Sequence, residues 1–359
     1  KKLMYNQALK SDLNELNTDL IVESLLQKIR KNWEFHQLAI PEYKLKSRKL
    51  SKNSVQVIVC VSSGSDSVAL FHSLLRLSAL LCLKLHILHF NHQLRPEALR
   101  EQDFVESLGK EYKVPFHCKT AKHLQTGQQG LQESARKWRI DESRNLLETL
   151  GGGWIATGHH ADDQTETLLL KWLRGSHISN FQGMRWKNTP FIRPLLNCSK
   201  LELQGFLKNN NLAWMEDNSN QSAAYLRNRV RLELIPLLEE LTRHGLQSRI
   251  SDLSGQSQLL REWLDSQYDE WKQHSRKNES ESPDVLSLTD LEQVSDLLQE
   301  EIMHNFITTQ TKQALSYSKL QNIFELMRSD SNLWELRLSQ EWIIIKSGKE
   351  LLVQQNSEK

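Results

Sequence analysis

The residues of this chain best suited to chemistry begin with a small polar cluster that directly follows an apolar run. Residues 55–61 (VQVIVCV) are typical of a strand buried on both faces, and an apolar helical pattern starts at Val68. A strand, a turn of small residues and a helix in this order present free backbone N–H groups to an anion. The turn consists of Ser62, Ser63, Gly64, Ser65, Asp66 and Ser67. The cluster predicts a phosphate site, and a carboxylate beside phosphates requires a cation such as Mg²⁺ at Asp66. A serine-rich cap on an ordinary helix is the alternative, and these six residues do not decide between the two.

A second cluster, GHHADDQTE, combines histidines and acids where a predicted strand gives way to a helix. His159 and His160 end the strand, and Asp163 and Glu166 are three residues apart, so they share one helical face. Such a pair of acids can hold Mg²⁺ or attract an ammonium group. The alternatives are first-turn acids that only favour the helix dipole, and histidines that are satisfied in the core. A zinc site is less favoured, because no third soft ligand follows at metal spacing.

Two stretches of the chain are rich in arginine. Arg136 and Arg139 share a helical stripe with Glu133, and taken alone this stretch favours an intrahelical Glu–Arg ladder. The run YLRNRVR contains Arg227, Asn228, Arg229 and Arg231. Arginine binds phosphate with two parallel hydrogen bonds, so this run favours a nucleic-acid backbone, although a solvated basic face is the alternative.

The elements that must position these clusters alternate regularly along the chain. Strands are predicted at 55–61, 85–90, 114–118 and 154–157, and helices follow at 98–112, 131–150 and 162–173. This alternation predicts an α/β fold with a doubly wound parallel sheet, in which ligands bind beyond the carboxyl ends of the strands. The serine-rich turn, the HFNHQLRPE stretch with His92 and the GHHADDQTE cluster all follow strands. We therefore expect the three clusters to share one cleft.

Charge and composition divide the chain further. Residues 1–249 carry 35 Lys+Arg and 25 Asp+Glu, whereas residues 250–359 carry 11 and 19. We predict a basic N-terminal extension and linker (1–52) with one peripheral amphipathic helix, a catalytic domain (53–249) and a smaller C-terminal α+β domain (250–359). The basic part favours a polyanionic partner. The four cysteines form no CxxC pair, and no membrane span or secretory signal is expected, so a cytoplasmic protein is predicted.

As a whole, residues 55–238 resemble the tRNA(Ile)-lysidine synthetase family of PP-loop ATP pyrophosphatases. The matching motifs are SSGSDS, HFNHQLRPEA, LQESARKWRI, ATGHHADDQTET with LRGS, IRPLL, and EDNSN followed by YLRNRVR. Ser63, Asn91 and Ile140 stand where the family has glycine, aspartate and tyrosine. The absence of a CxxC pair disfavours a PP-loop thiolase, and a non-catalytic RNA-binding relative is the second alternative.

The resemblance implies ATP-dependent ligation of free lysine to C2 of the wobble cytidine of an isoleucine tRNA, through an adenylated cytidine. By this resemblance, residues 62–67 hold ATP, with Asp66 on Mg²⁺, and Asp163 and Glu166 bind lysine. Further nucleotide or substrate contacts are expected from His92, Arg136, Arg139, His159 and His160. The tRNA is expected at Arg227, Asn228, Arg229 and Arg231, with help from the C-terminal domain. The oligomeric state is left open, and a homodimer is one option.

Overall fold

The computed structural model describes residues 24–39, 54–93, 97–121, 131–175, 181–216, 226–243, 245–275, 285–313, 315–329 and 331–356. The predicted linker before residue 54 lies outside the described residues. Within the described ranges, no helix is both long and apolar enough to cross a membrane. The chain forms two compact units, residues 1–164 with 184–232, and residues 165–183 with 233–359. The domain boundaries predicted at residues 52 and 249 stay a prediction.

The first unit is built on a parallel sheet, as the alternating pattern predicted. Its strands are β1 (Val55–Cys60), β2 (Leu83–Asn91), β3 (Phe116–Thr120), β4 (Trp154–Ala156), β5 (Lys187–Asn188) and β6 (Phe191–Ile192). Its helices are α1 (24–35), α2 (Ser65–Leu81), α3 (Ala98–Glu111), α4 (Leu131–Thr149), α5 (Ala161–Leu173), α6 (Lys200–Asn209) and α7 (Leu226–Arg229). The strand order is β3-β2-β1-β4-β6-β5, and only β5 runs antiparallel to its neighbour among these strands.

Both faces of β1 are buried, which explains its unbroken apolar sequence. Val57 and Val59 join the large core on one face, whereas Ile58 packs with Leu88 and Ile155 on the other. Successive strand residues point to opposite faces, so each face needs its own apolar set.

Two expectations about this unit were wrong in detail. The N-terminal helix was expected to be peripheral, but Leu25, Ile29 and Trp33 of α1 are buried in the main core. The third strand begins at Phe116 and not at residue 114, because the N–H of Val114 bonds back to the Gly109 carbonyl at 2.9 Å and completes the end of α3. Lys113 makes this reversal with a left-handed φ of 54°.

The second unit combines helices with an antiparallel sheet, in agreement with the predicted α+β class. After a π-helical turn at Val230–Leu234, the chain forms α8 (Ile235–Leu241), α9 (Leu246–Ser275), α10 (Leu288–Leu291), α11 (Asp296–Thr311) and α12 (Tyr317–Met327). The strands are β7 (Val285–Ser287), β8 (Leu333–Arg337), β9 (Trp342–Ser347) and β10 (Glu350–Gln355), in the order β7-β10-β9-β8. A separate core that includes Ile302, Ile323 and Ile344 holds this sheet to its helices.

Candidate active site

The sheet topology gathers the sequence clusters at one edge. Strands β1, β2, β4 and β6 are parallel, so their carboxyl ends share an edge. From β1 the chain continues to β2 and β3 on one side, whereas β4 and β6 lie on the other side of β1. Such a reversal leaves a crevice between neighbouring strands, here β1 and β4. The serine-rich turn and the GHHADD cluster follow these two strands.

The turn after β1 is braced from within. The Ser67 hydroxyl lies 2.7 Å from the Ser62 carbonyl oxygen and 3.0 Å from the Ser62 hydroxyl. From outside the turn, the N–H of Met215 donates to the Ser63 carbonyl at 2.9 Å. Gly64 caps α2 without any side-chain hydrogen bond, and the first N–H groups of a helix have no acceptor within the helix. The turn is therefore a preformed cradle for an anion.

Two residues that depart from the family sequence fit their surroundings. Ser63 is buried, and its φ lies outside the left-handed region that would favour glycine. Asn91 is also buried, donates to Gln102 Oε1 at 2.8 Å and accepts from the Gln93 N–H at 2.9 Å. Neither position requires the glycine or aspartate of the family pattern.

A cluster of three acids around one histidine joins α2 to α5. The buried His160 has its Nε2 atom 3.3 Å from Asp66 and 3.5 Å from Asp163, and its Nδ1 atom 3.2 Å from Asp162. Burial lowers the pKa of His160, but the hydrogen bonds to Asp162 and Asp66 and the nearby Asp163 outweigh it and raise the pKa to about 10. Burial alone would raise the pKa of Asp66, but contacts with His160, Lys200 and Ser65 lower it overall. The Asp66 carboxylate is therefore charged beside the anion cradle.

Close packing of backbones holds the two strand ends together. A Cβ added to Gly158, just after β4, would lie 3.2 Å from the Ser67 nitrogen and 3.3 Å from the Asp66 carbonyl oxygen. Such contacts are tight enough that a larger residue would push the loop away from α2. Gly158 thus permits the approach of Asp66 to His160.

Asp163 also contacts the basic run that was predicted to bind a nucleic-acid backbone. Its Oδ1 atom lies 3.7 Å from Arg227 and 3.5 Å from Arg231, and its Oδ2 atom accepts from the His160 N–H at 3.0 Å. The Arg231 side chain is 32% exposed and follows the helix α7 at the π-helical turn. Asn228 is half-buried and Arg229 is exposed on α7. The structure therefore joins two predicted sites, the acids of α5 and the arginines of the basic run.

More arginines than acids surround His159. Burial lowers its pKa to about 4, Asp163 acts in the opposite direction, and Arg193, Arg227 and Arg136 lower it further. The pKa of Arg193 is lowered by burial and by Arg136. Guanidinium groups that repel one another near His159, the neighbour of His160, favour a phosphate-bearing ligand. Sequence reasoning missed Arg193, although the IRPLL motif that contains it was noted.

The remaining predicted residues lie on α4, after β2 and on α5. Burial lowers the pKa of Arg139, which lies near Cys60 at the end of β1 and near Arg136. His92 packs edge-on against Trp138 of α4 at 5.3 Å between ring centroids. Glu166 is 1% exposed and lies on α5, three residues after Asp163.

The fold and the cradle define a class, and comparison with known proteins agrees. The PP-loop domain family matches residues 37–238, more than half of the chain. A U34-tRNA thiolase from Methanococcus maripaludis shares the fold, with a TM-score of 0.53 and 15% identity over 68% of this chain and 80% of that one. This is a PP-loop protein.

Curated relatives identify the branch of that class. A tRNA(Ile)-lysidine synthase from Chlorobaculum tepidum is 33% identical over 222 residues, which cover 61% of this chain and 67% of the relative. A synthase of the same name from Nostoc sp. is 28% identical over 85% of this chain and 95% of the relative. The chain belongs to the tRNA(Ile)-lysidine synthase family. Its match to the Symbiobacterium thermophilum synthase, 37% identical over 58% of this chain, spans only 44% of that protein.

Proposed function

We propose that this chain uses ATP to attach free lysine to C2 of the wobble cytidine of an isoleucine tRNA. One observation carries the proposal: the PP-loop, Asp66, Asp163 and the surrounding arginines converge at one sheet edge in a member of this family. In the first step the cytidine C2 oxygen attacks the α-phosphorus of ATP and the bond to pyrophosphate breaks. In the second step the lysine amine attacks C2 and the bond to AMP breaks.

The serine-rich turn is suited to the pyrophosphate that leaves in the first step. Backbone N–H groups of α2 and the hydroxyls of the turn face negative charge that increases as the bond breaks. The nucleotide or the α-phosphate is assigned to the half-buried His92, His159 and the arginines of α4, Arg136 and Arg139. His160 orients the carboxylates of Asp66 and Asp163, which it contacts at 3.3 and 3.5 Å.

Asp66 fits the chemistry of Mg²⁺. Its side chain is 32% exposed at the edge of the cradle, and its lowered pKa keeps it charged. Among the described residues no group of three His, Cys, Asp or Glu side chains is arranged to hold a metal alone. Magnesium commonly binds through one or two carboxylates together with substrate phosphates, which matches a single acid beside a phosphate cradle. The ion would neutralise charge on the phosphates, and Asp66 would hold it.

Asp163 and Glu166 are assigned to the lysine. Both are buried, so a carboxylate–ammonium contact there would be stronger than at an exposed position. The amine must lose a proton before it attacks, and one of these carboxylates can accept it. Arg227 and Arg231 next to Asp163 would hold its carboxylate in place while they face the tRNA.

The tRNA is assigned to the basic run and to the C-terminal unit. Arg227, Asn228, Arg229 and Arg231 would contact the anticodon stem-loop, and residues 250–359 would help to select the tRNA. A cytoplasmic location is part of the proposal, because tRNA and ATP occur there and all four cysteines are free. A homodimer is compatible with it.

The test is ATP-dependent incorporation of labelled lysine into a transcript of the isoleucine tRNA, with pyrophosphate release measured in parallel. We expect both activities to require ATP and the wobble cytidine, and a transcript with uridine at that position serves as the control. Pyrophosphate release without lysine incorporation would indicate another PP-loop modification. Binding of tRNA with neither activity would indicate a non-catalytic relative.

A further inference from the structure

A network of contacts joins the N-terminal helix to the loop that carries Arg193. The Asn32 side-chain amide, 7% exposed on α1, donates to Asn197 Oδ1 at 2.7 Å and to the Pro194 carbonyl at 3.2 Å. Asn197 returns a hydrogen bond to Asn32 Oδ1 at 3.1 Å. Two amides that bond reciprocally fix both position and orientation, since any rotation breaks more than one bond.

A second contact of the N-terminal helix region positions the segment that precedes Arg193. His36, just after α1, stacks on Trp186 at 4.0 Å between ring centroids and an interplanar angle of 15°. The Trp186 carbonyl accepts from the Arg193 N–H at 2.9 Å, and Arg193 Nη1 donates to the Arg185 carbonyl at 2.7 Å. Both the backbone and the guanidinium of Arg193 are therefore hydrogen-bonded to residues 185 and 186, and the second of these residues stacks on His36.

The loop also reaches the first turn of α5. The Ala161 N–H donates to the Cys198 carbonyl at 2.8 Å, and the Lys200 N–H donates to Asp162 Oδ2 at 2.9 Å. Residues 193–200 therefore connect Arg193 with the turn that carries His160 and Asp163. A shift of this loop would move both sides of the cleft.

We propose that Asn32 is a positioning residue, which acts through the loop 193–198 to hold Arg193 and the start of α5 in their active arrangement. Residue 32 lies before the start of the matched PP-loop domain, at residue 37, so the catalytic unit of this chain extends into the helix ahead of that domain. The activity readout rests on the proposed function, but the structural readout below does not.

The test compares two variants of the same helix in the full chain. Asn32→Ala removes the hydrogen bonds to Asn197 and Pro194, whereas Lys28→Ala removes the 2.8 Å ion pair to Glu202 on α6 and none of the hydrogen bonds made by residues 193–198. We expect Asn32→Ala to lower kcat for pyrophosphate release by about ten- to a hundredfold with little change in the KM for ATP, because the arrangement and not the binding is lost. Lys28→Ala should stay close to the parental kcat.

A double-mutant cycle separates positioning from general damage to the fold. If part of the effect of Asn32 passes through Arg193, Asn32→Ala should cause a smaller further loss in kcat when Arg193 is already Ala. An equal loss in both backgrounds, or an equal loss from Lys28→Ala, would overturn the proposal. If Asn32→Ala does not fold, Asn197→Ala removes the same reciprocal pair of hydrogen bonds from the exposed side chain of Asn197 and replaces it in every measurement.

Amide hydrogen exchange tests the same network of hydrogen bonds and does not depend on enzymatic activity. In the full-length protein, Asn32→Ala should speed exchange at the N–H groups of Arg193, Cys198 and Ala161, and Lys28→Ala should not. Unchanged exchange at these three amides would reject the positioning role even in a fully active protein. If Asn32→Ala speeds this exchange but the parental protein attaches no lysine, the structural role of Asn32 would be supported and the proposed function would be rejected.

Discussion

The two units each contain a partly buried arginine, Arg193 in the first and Arg261 in the second, and the charges next to these two arginines differ in sign. In the first unit, Arg193 lies near Arg136, and burial and this neighbour lower its pKa. In the second unit, Arg261 donates to Glu301 at 2.7 Å and lies 2.7 Å from Asp265. Burial would lower the pKa of Arg261, but these two acids outweigh it and raise the pKa.

The contrast separates a site for a ligand from a structural contact. Glu301 is fully buried and also accepts from Asn305 at 2.7 Å, so the second cluster supplies its own counter-charges. In the first cluster Arg193 and Arg136 repel one another, an arrangement that a bound phosphate would stabilise. Arginines whose pKa values are lowered by burial and by a like charge therefore indicate function more strongly than a buried ion pair.

We expect the largest effect on stability when the ion pair between Arg261 and Glu301 is broken. Arg261→Met should lower the free energy of unfolding by about 3–5 kcal/mol, because it leaves Glu301 buried without its counter-charge. Urea titration measures this change. The double variant Arg261→Met/Glu301→Met is the control and should recover much of the loss. If the single variant were as stable as the parental protein, the cluster would not be the internal contact described above.

In the first unit, Asp66→Asn should lower pyrophosphate release by about 10²–10³-fold. The substitution removes the charge proposed to hold Mg²⁺ but leaves the basic surface intact, so tRNA binding should be almost unchanged. Steady-state release and a filter-binding assay measure the two quantities. Release near the parental rate would contradict the assignment of Mg²⁺ to Asp66.

Glu166→Gln compares a second buried acid with Glu301. If Glu166 binds the lysine ammonium, the variant should raise the lysine requirement about ten- to a hundredfold, or roughly 1.5–3 kcal/mol, while pyrophosphate release continues. Lysine incorporation and pyrophosphate release are measured side by side. Loss of both activities together would indicate that Glu166 binds Mg²⁺, and Asp163 would then be the acid that binds the lysine amine.

Single substitutions in the basic run divide its arginines by role. Arg229→Ala should reduce the slope of log affinity against log salt by about one, with kcat retained, because Arg229 is exposed and would meet a phosphate. Arg231→Ala should lower kcat by about tenfold, because Arg231 lies 3.5 Å from Asp163. Identical effects from both variants would show that the ion pair with Asp163 has no catalytic consequence.

The smallest effect is expected at Ser63. Since its φ is not left-handed, Ser63→Gly gains no backbone relief, and the free energy of unfolding should fall by less than about 1 kcal/mol. Pyrophosphate release should stay within about twofold of the parental rate. A large increase in kcat would mean that the serine side chain obstructs the phosphate.

The parallel sheet and the convergence of the clusters could be predicted because both depend on local pattern. An apolar run such as residues 55–61 needs burial on both faces, and strand ends in a parallel sheet must meet at one edge. The short strands at Lys187–Asn188 and Phe191–Ile192 were missed, since two residues produce no detectable periodicity. The burial of α1 was missed for another reason, because an amphipathic pattern does not say which surface its apolar side contacts.

By itself, the sequence determined the fold class, the serine-rich anion cradle, the acids that follow β4 and the resemblance to one family. These depend on residue type and on spacing within single elements, which the chain displays directly. Only the tertiary structure brought Arg227 and Arg231 to Asp163, Arg193 into the arginine cluster, and Asn32 to Asn197, a partner 165 residues away. Such pairings depend on the packing of distant segments, and side-chain charge acts over a few ångströms of space whatever the separation along the chain.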